Sequence, residues 1–355
     1  MIGVNLDHGT CKPHILNALY SLGIRVVRYI VYGQFNNDLT VAVIKGQDDY
    51  DFRATIDDLD TIRNTGPGGM YTYANWCNIP AFMSGGIPAY QMYQSWVADP
   101  HTPDADLVWA GPDGTRWRLA TPVERPYMWL PNIPHVDPVM VESFAEAFAA
   151  ECSNVIDYAG AGNEWGGRAY WPPVQAPPYE VAYQRAFDEV LAPFARGYRR
   201  GSTGGVATLV GPEADVESCF GFLCRLELER GYRVFDVLSD HRYPWSDDYL
   251  SGALARSVEF MASARKWASG RPIWSTETID SSENGQTPEL FAESARLYPD
   301  LRAQFIFEPW QLFVDAGAGK WLDRRFDFRL SPQGLRFKAM TDDLARRTTK
   351  RRAVR

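Results

Sequence analysis

Two glutamates, each closing an apolar run of β type, hold most of the chemistry legible in this chain. Glu164 ends VIDYAGAGNE, directly after Asn163, and Glu277 lies in PIWSTETI. Two carboxyl groups facing one another across a cavity are what cleavage of a glycosidic bond requires. One must be protonated to release the leaving group, and the other ionised to attack the anomeric carbon. Between the two glutamates lie two more runs of the same kind, each followed by a helical stretch. If all these runs are strands of one parallel barrel, the glutamates end its fourth and seventh strands and face the same cavity.

The apolar rhythm supplies the elements that must position them. Strands are expected at IGVNL from Ile2, RVVRYIVY from Arg25, MYTYANWC from Met70, VIDYAGAG, VATLVGPEA from Val206, FDVLSDHRYPW, PIWSTETI and LRAQFIFEPW. Helical stretches follow each of them: HILNALYSLG, DFRATIDDLDTIRNTG, VMVESFAEAFAAEC, the long PYEVAYQRAFDEVLAPFARGYRRG, CFGFLCRLELERG, LSGALARSVEFMASARKWASG, ELFAESARLY and GLRFKAMTDDLARR. Short apolar strands alternating with amphipathic helices specify a parallel sheet covered by helices. Eight such units close a barrel. A doubly wound open sheet is the alternative. It would carry a Gly-rich phosphate turn after its first strand, and HGTCKPH is not one. The expected fold is therefore α/β, a single (β/α)8 TIM barrel over residues 1–345 with a long insertion after strand three. That insertion, 78–137, is rich in Pro, Trp and Tyr and is expected to form part of the cleft. It carries Tyr90, Tyr93, Trp96, Trp109, Trp117 and Trp129. Residues 346–355 (RRTTKRRAVR) are expected to be a basic, disordered tail.

Composition bounds the function. The chain has 355 residues, 45% hydrophobic and 23% charged, which suits a soluble globular protein of this architecture. A net charge of −8 gives no reason to expect a nucleic-acid partner. Aromatic residues reach 14%, enough to line a cleft for the flat C–H faces of sugars or to fill a large core. The five cysteines form no C-x-x-C pair, so free buried thiols are expected rather than a zinc cluster. Of the five histidines only His8 and His241 lie near strand ends, so a metal site is not expected, and chemistry run by two carboxyls implies no organic cofactor. No apolar run is long enough to span a membrane. The chain opens directly into a strand, which reads as cytoplasmic as written, or as secreted if a leader was removed. The helices show no sustained heptad, and the oligomeric state is left open.

The pairing of Asn163-Glu164 on strand four with Glu277 on strand seven resembles the clan A glycoside hydrolases, retaining enzymes on (β/α)8 barrels. The resemblance covers nearly the whole chain in architecture and short motifs in sequence. It implies that Glu164 is the general acid/base, Glu277 the nucleophile, and Asn163 a hydrogen-bond partner of the sugar 2-hydroxyl. His241-Arg242-Tyr243 is similar to the His-x-Tyr these families often carry on strand six. By that likeness Tyr243 would donate to Glu277, and His241 would bind sugar hydroxyls or orient the acid/base. Arg28 resembles the arginine below the nucleophile, which keeps it ionised, and Trp310 the tryptophan that floors subsite −1. Taken singly, each also fits a plain structural role: a core tyrosine, a polar cap, a salt-bridge arginine, a packing aromatic. Asp7, Glu213, Asp240, Asp280 and Glu308 also lie near strand ends and could shape subsites, with Glu308 the competitor for the nucleophile. Asn75-Trp76-Cys77 matches no sugar-binding motif, which leaves the family within the clan open.

The function implied is a retaining glycosidase that cleaves a β-linked glycoside or oligosaccharide through a covalent glycosyl-enzyme, with carbohydrate as its partner. A non-catalytic carbohydrate-binding TIM barrel is the alternative, since fold does not guarantee chemistry. Intact Glu164, Glu277 and Tyr243 argue against it. A metal-assisted barrel hydrolase would need a ligand cluster that five histidines do not suggest. The sugar, the linkage and endo or exo action are not fixed by the sequence.

Overall fold

Every apolar run named above becomes a strand, and the eight lie parallel in one sheet. The computed structural model describes residues 1–33, 43–77, 79–80, 83, 96–110, 116–119, 136–163, 179–202, 208–214, 217–242, 249–278 and 285–353. The barrel strands are β1 (Ile2–Leu6), β2 (Val26–Tyr32), β3 (Tyr71–Cys77), β4 (Tyr158–Ala161), β5 (Val210–Ala214), β6 (Val237–His241), β7 (Ile273–Thr278) and β8 (Leu301–Ile306). Each strand from β1 to β3 pairs with the next, as does each from β5 to β8. The seam between the chain's two ends is closed by β8 on β1, with Ile2 opposite Gln304 and Val4 opposite Ile306. A parallel bridge between Ala159 and Leu209 joins β4 to the start of β5 and completes the ring. This is a (β/α)8 barrel.

The helices are α1 (Pro13–Ser21), α2 (Arg53–Arg63), α3 (Pro138–Cys152), α4 (Tyr179–Arg185), α5 (Ala192–Gly201), α6 (Glu217–Arg230), α7 (Tyr249–Ala268), α8 (Thr287–Leu297), the short α9 (Ala318–Trp321) and α10 (Pro332–Ala353). Local sequence sets their starts. Pro138 opens α3 where no intrahelical N–H is needed, and the Asp137 carboxylate caps it by accepting from Val139 N at 2.8 Å. The long helix expected after β4 is divided. A π turn, Ala186–Leu191, sits between α4 and α5.

Strand alternation sorts side chains between two cores. On β1, Ile2, Val4 and Leu6 point outward to the main core shared with the helices. Gly3 faces inward, where a Cβ would lie 2.4 Å from the Phe305 ring, so only glycine admits that ring. The inward residues Val26, Tyr73, Val210, Val237, Trp274, Ala303 and Phe305 form a separate apolar floor inside the barrel. Tyr73 fits there because Gly160 on β4 leaves room for its hydroxyl, which an added Cβ would meet at 2.6 Å.

Some features were not foreseen. Ile44–Gly46 and Asp49–Tyr50 pair as a small antiparallel ladder between β2 and α2. Between β3 and α3, Trp96–Ala98, Leu107–Ala110 and Arg116–Leu119 form a three-stranded antiparallel sheet. Trp96, Trp109 and Trp117 sit on it, whereas Tyr90, Tyr93 and Trp129 lie outside the described residues. Of the stretch expected to be a basic tail, the residues up to Ala353 continue α10. Arg and Lys are good helix formers, and an Asp343–Arg347 pair at 2.6 Å ties the start of that stretch to the preceding turn. All five cysteines are free and buried. Among the described residues no helix is long and apolar enough to cross a membrane, and no cluster of His, Cys, Asp and Glu could hold a metal ion.

Candidate active site

The site begins two residues above the apolar floor, which is one step of a strand's inward face. Arg28 follows Val26, Ser239 follows Val237, Thr276 follows Trp274 and Asn5 follows Gly3. These inward residues are polar yet buried. Buried polar groups need partners, and here they supply one another.

Arg28 is the centre of the layer. Its side chain is 0% exposed, and its Nη1 donates to Oε1 of Glu277 at 2.6 Å. Its Nη2 donates to Oδ1 of Asn163 and lies 3.1 Å from Oε2 of Glu213. Burial disfavours the charge on Arg28, but the carboxylates of Glu213 and Glu277 outweigh it and hold the guanidinium firmly protonated. Four strands thereby meet through one cation: β2 brings Arg28, β5 Glu213 and β7 Glu277, while Asn163 follows β4.

His241, at the end of β6, lies between the same two carboxylates. Its Nε2 is 2.9 Å from Oε2 of Glu213 and its Nδ1 is 3.4 Å from Oε2 of Glu277. The ring is fully buried. Both of its nitrogens thus face carboxylates. Glu213 also accepts from Tyr73 Oη at 2.7 Å, Ser239 Oγ at 2.8 Å and Thr276 Oγ1 at 2.8 Å. Burial pushes the Glu213 carboxyl up, but Arg28, His241 and Tyr73 overcome it and hold it at about 2. Glu213 is thus a buried anion rather than a subsite wall.

Glu277 is the carboxylate with access to space. It borders a cavity of about 240 Å³, lined also by Asp7, Arg28, Asn163, Glu308 and Trp310. Asn163, Glu277, Arg28 and Trp310 are therefore brought together around one cavity. Trp310 does not close β8. The strand stops at Ile306, Glu308 turns left-handed at φ 54°, and Trp310 rides on the following 3-10 turn, Pro309–Leu312. Of the competing carboxylates, Asp7 and Glu308 line the same cavity. Burial pushes the Glu308 carboxyl up. Glu164, Tyr243 and Asp280 lie outside the described residues.

Asp240 points the other way, outward from β6 toward α7. There the fully buried Arg242 donates to Ser275 Oγ at 2.6 Å, Ser257 Oγ at 2.8 Å and Gln304 Oε1 at 3.3 Å. The nearest oxygen of Asp240 is 3.8 Å from Arg242 Nε and accepts no hydrogen bond. Burial therefore pushes the Asp240 carboxyl up to about 8 despite the nearby cations. Between an ordinary carboxyl pKa near 4 and about 8, the native state holds a proton that the unfolded chain has lost, so this group costs stability as pH rises through that window. Asp240→Asn removes the cost. It is expected to raise stability at pH 8 by on the order of 2–4 kcal/mol and to leave stability at pH 4 nearly unchanged. Urea unfolding at the two pH values measures the difference.

No family model matches the chain, and no curated protein matches it. Solved structures do. The chain is similar to a monomeric beta-xylosidase from Caulobacter crescentus CB15, with TM-score 0.57 and 14% identity over 95% of this chain and 66% of that one. It is similar to the hyperthermostable endo-1,4-beta-D-mannanase from Thermotoga petrophila RKU-1, with TM-score 0.54 and 11% identity over 96% and 99%. It is similar to xylanase B from Clostridium stercorarium F9, with TM-score 0.52 and 13% identity over 96% of each chain. The chain spans just under two thirds of the xylosidase's length. At these identities the likeness is one of fold, a (β/α)8 barrel that glycoside hydrolases of several specificities share.

Proposed function

We propose that this protein is a retaining glycoside hydrolase that cleaves a β-linked glycoside or oligosaccharide. The observation that carries this reading is Glu277, paired at 2.6 Å with a buried arginine and bordering a cavity that Trp310 also lines. A carboxylate so held is fixed in place by its partner yet open on the side where a sugar would lie.

In the proposed reaction Glu277 attacks the anomeric carbon, and the bond to the leaving oxygen breaks as Glu164 gives that oxygen its proton. The product is a glycosyl ester on Glu277. Glu164, now ionised, takes a proton from water, whose oxygen displaces Glu277 and restores both carboxyls. Asn163, anchored through its Oδ1 to Arg28, keeps its amide NH2 to donate to the sugar 2-hydroxyl. Trp310 would pack on the face of the ring at subsite −1. Tyr243, two residues beyond His241, would add a donor to Glu277.

A slow substrate tests this reading. Incubation with 2-deoxy-2-fluoro glycosides carrying good leaving groups is expected to add one glycosyl mass, and peptide mapping to place it on Glu277. Oligosaccharide binding without an adduct or hydrolysis across gluco, manno, xylo, galacto and arabino probes would replace the enzyme with a carbohydrate-binding barrel. An adduct on Glu308 would move the nucleophile to strand eight.

A further inference from the structure

Glu213 and Glu277 share the same two bases, yet only Glu277 reaches the cavity. Arg28 bridges them, at 3.1 Å to Glu213 and 2.6 Å to Glu277. His241 bridges them a second time, at 2.9 Å to Glu213 and 3.4 Å to Glu277. Glu213 itself is fully buried, and five donors from four strands use its two oxygens. A carboxylate offers about four lone-pair sites, so Glu213 has none left for a sugar. We propose that Glu213 is a positioning residue: it fixes the tautomer of His241 and absorbs part of the charge of Arg28, and through both it sets how basic the nucleophile Glu277 is. The role for Glu277 rests on the retaining mechanism proposed above.

The tautomer follows from hydrogen-bond chemistry. An ionised carboxylate only accepts, so His241 Nε2 must carry the hydrogen it shares with Glu213. Nδ1 is then the nitrogen that exchanges a proton toward Glu277. The negative charge of Glu213 favours a proton held between His241 Nδ1 and Glu277. Among the described residues, the other charged or titratable groups around them are Arg28 from β2, Tyr73 and Cys77 from β3, Asp240 on the outer side of β6, and Asp7 and Glu308 in the cavity. All of them stay in place when Glu213 alone is replaced, though Arg28 and Tyr73 then face an uncharged partner.

Removing the charge therefore has a definite sign. In Glu213→Gln the pair loses its proton more readily, whichever atom holds it. The acid limb of the kcat/KM profile is expected to move to lower pH by about one unit. The less basic nucleophile should also lower kcat about ten-fold at the optimum, with KM little changed. Glu213→Asp, which restores the charge, should return the limb toward its original position even if kcat stays low. A limb that does not move in Glu213→Gln, or that moves equally in Glu213→Asp, overturns the proposal and leaves Glu213 a packing residue.

A measurement on the unchanged protein decides the case should the variant not fold. With only five histidines in the chain, the ¹⁵N imidazole signals can be assigned individually. His241 is expected to keep Nε2 protonated across pH 5–9, any titration appearing at Nδ1. An unprotonated Nε2 would sink the proposal. This readout needs no turnover, so it stands even if no glycoside is cleaved. In that event the enzyme reading fails while the link between Glu213 and His241 is judged on its own.

Discussion

Glu277→Gln is expected to lower kcat by about 10⁴-fold or more on any cleavable glycoside, because an amide cannot form the glycosyl ester. The fold should survive. Gln keeps an oxygen that can accept from Arg28 Nη1, and the remaining contacts of Arg28 with Glu213 and Asn163 are untouched. Circular dichroism and thermal unfolding close to the parent's would confirm this, so that the lost rate reports chemistry. Glu164→Ala should behave differently. Its rate should collapse on glycosides with poor leaving groups but stay near the parent's glycosylation rate on dinitrophenyl glycosides, whose leaving group needs no proton. Azide should then speed turnover, since a small anion can replace the water that Glu164 no longer activates. Near-parental turnover in both variants would remove both glutamates from the mechanism.

Arg28→Met is expected to damage stability as well as rate. It leaves two carboxylates, one fully buried, without the cation that compensates them. Removing one member of a buried ion pair costs about 3–5 kcal/mol. The cost should depend on pH with a sign set by Glu213. Its carboxyl is held at about 2 against an ordinary 4.5, so the parent gains on the order of 3 kcal/mol from it above pH 4.5. That gain fades as pH falls through the window toward 2. In the variant the carboxyl can take up a proton at higher pH, so the gap between the two proteins should be widest near neutrality and narrow on acidification. Urea midpoints measured from pH 7 down to pH 3 would show it. A gap that is constant with pH would mean that Arg28 acts through packing alone.

The barrel was legible because a parallel strand covered on both sides needs a run of apolar residues, and the runs beginning at Ile2, Arg25 and Met70 show that need plainly. Arg28, Asn163 and Glu277 were legible through their places on numbered strands. Glu213 was visible only as one carboxylate among several. What hid it is local geometry. The β5–β6 register shifts between Pro212 and Ala214, and Glu213 itself adopts φ 55°, so alternation counted along VGPEA does not tell which way its side chain turns. His241 was placed at the end of strand six, but a sequence does not show that its two nitrogens face Glu213 and Glu277. The helix break at Ala186–Leu191 does have a mark, Pro193, which lacks an N–H and crowds the carbonyl four residues before it, within the π turn.

The placement of Arg28 has a consequence for how the molecule is made. Its partner Glu277 lies 249 positions further along the chain, and Glu213 lies 185 positions further. Synthesis delivers the N-terminal strands first, so during translation the arginine emerges long before either carboxylate that will neutralise it. Until β5 and β7 have docked, a collapsed barrel fragment would have to bury an uncompensated cation, which disfavours premature closure. The same residues that build the buried polar layer thus act as a check on assembly order: the ring is stable only when nearly all of its strands are present, with β8 finally covering the exposed edge of β1.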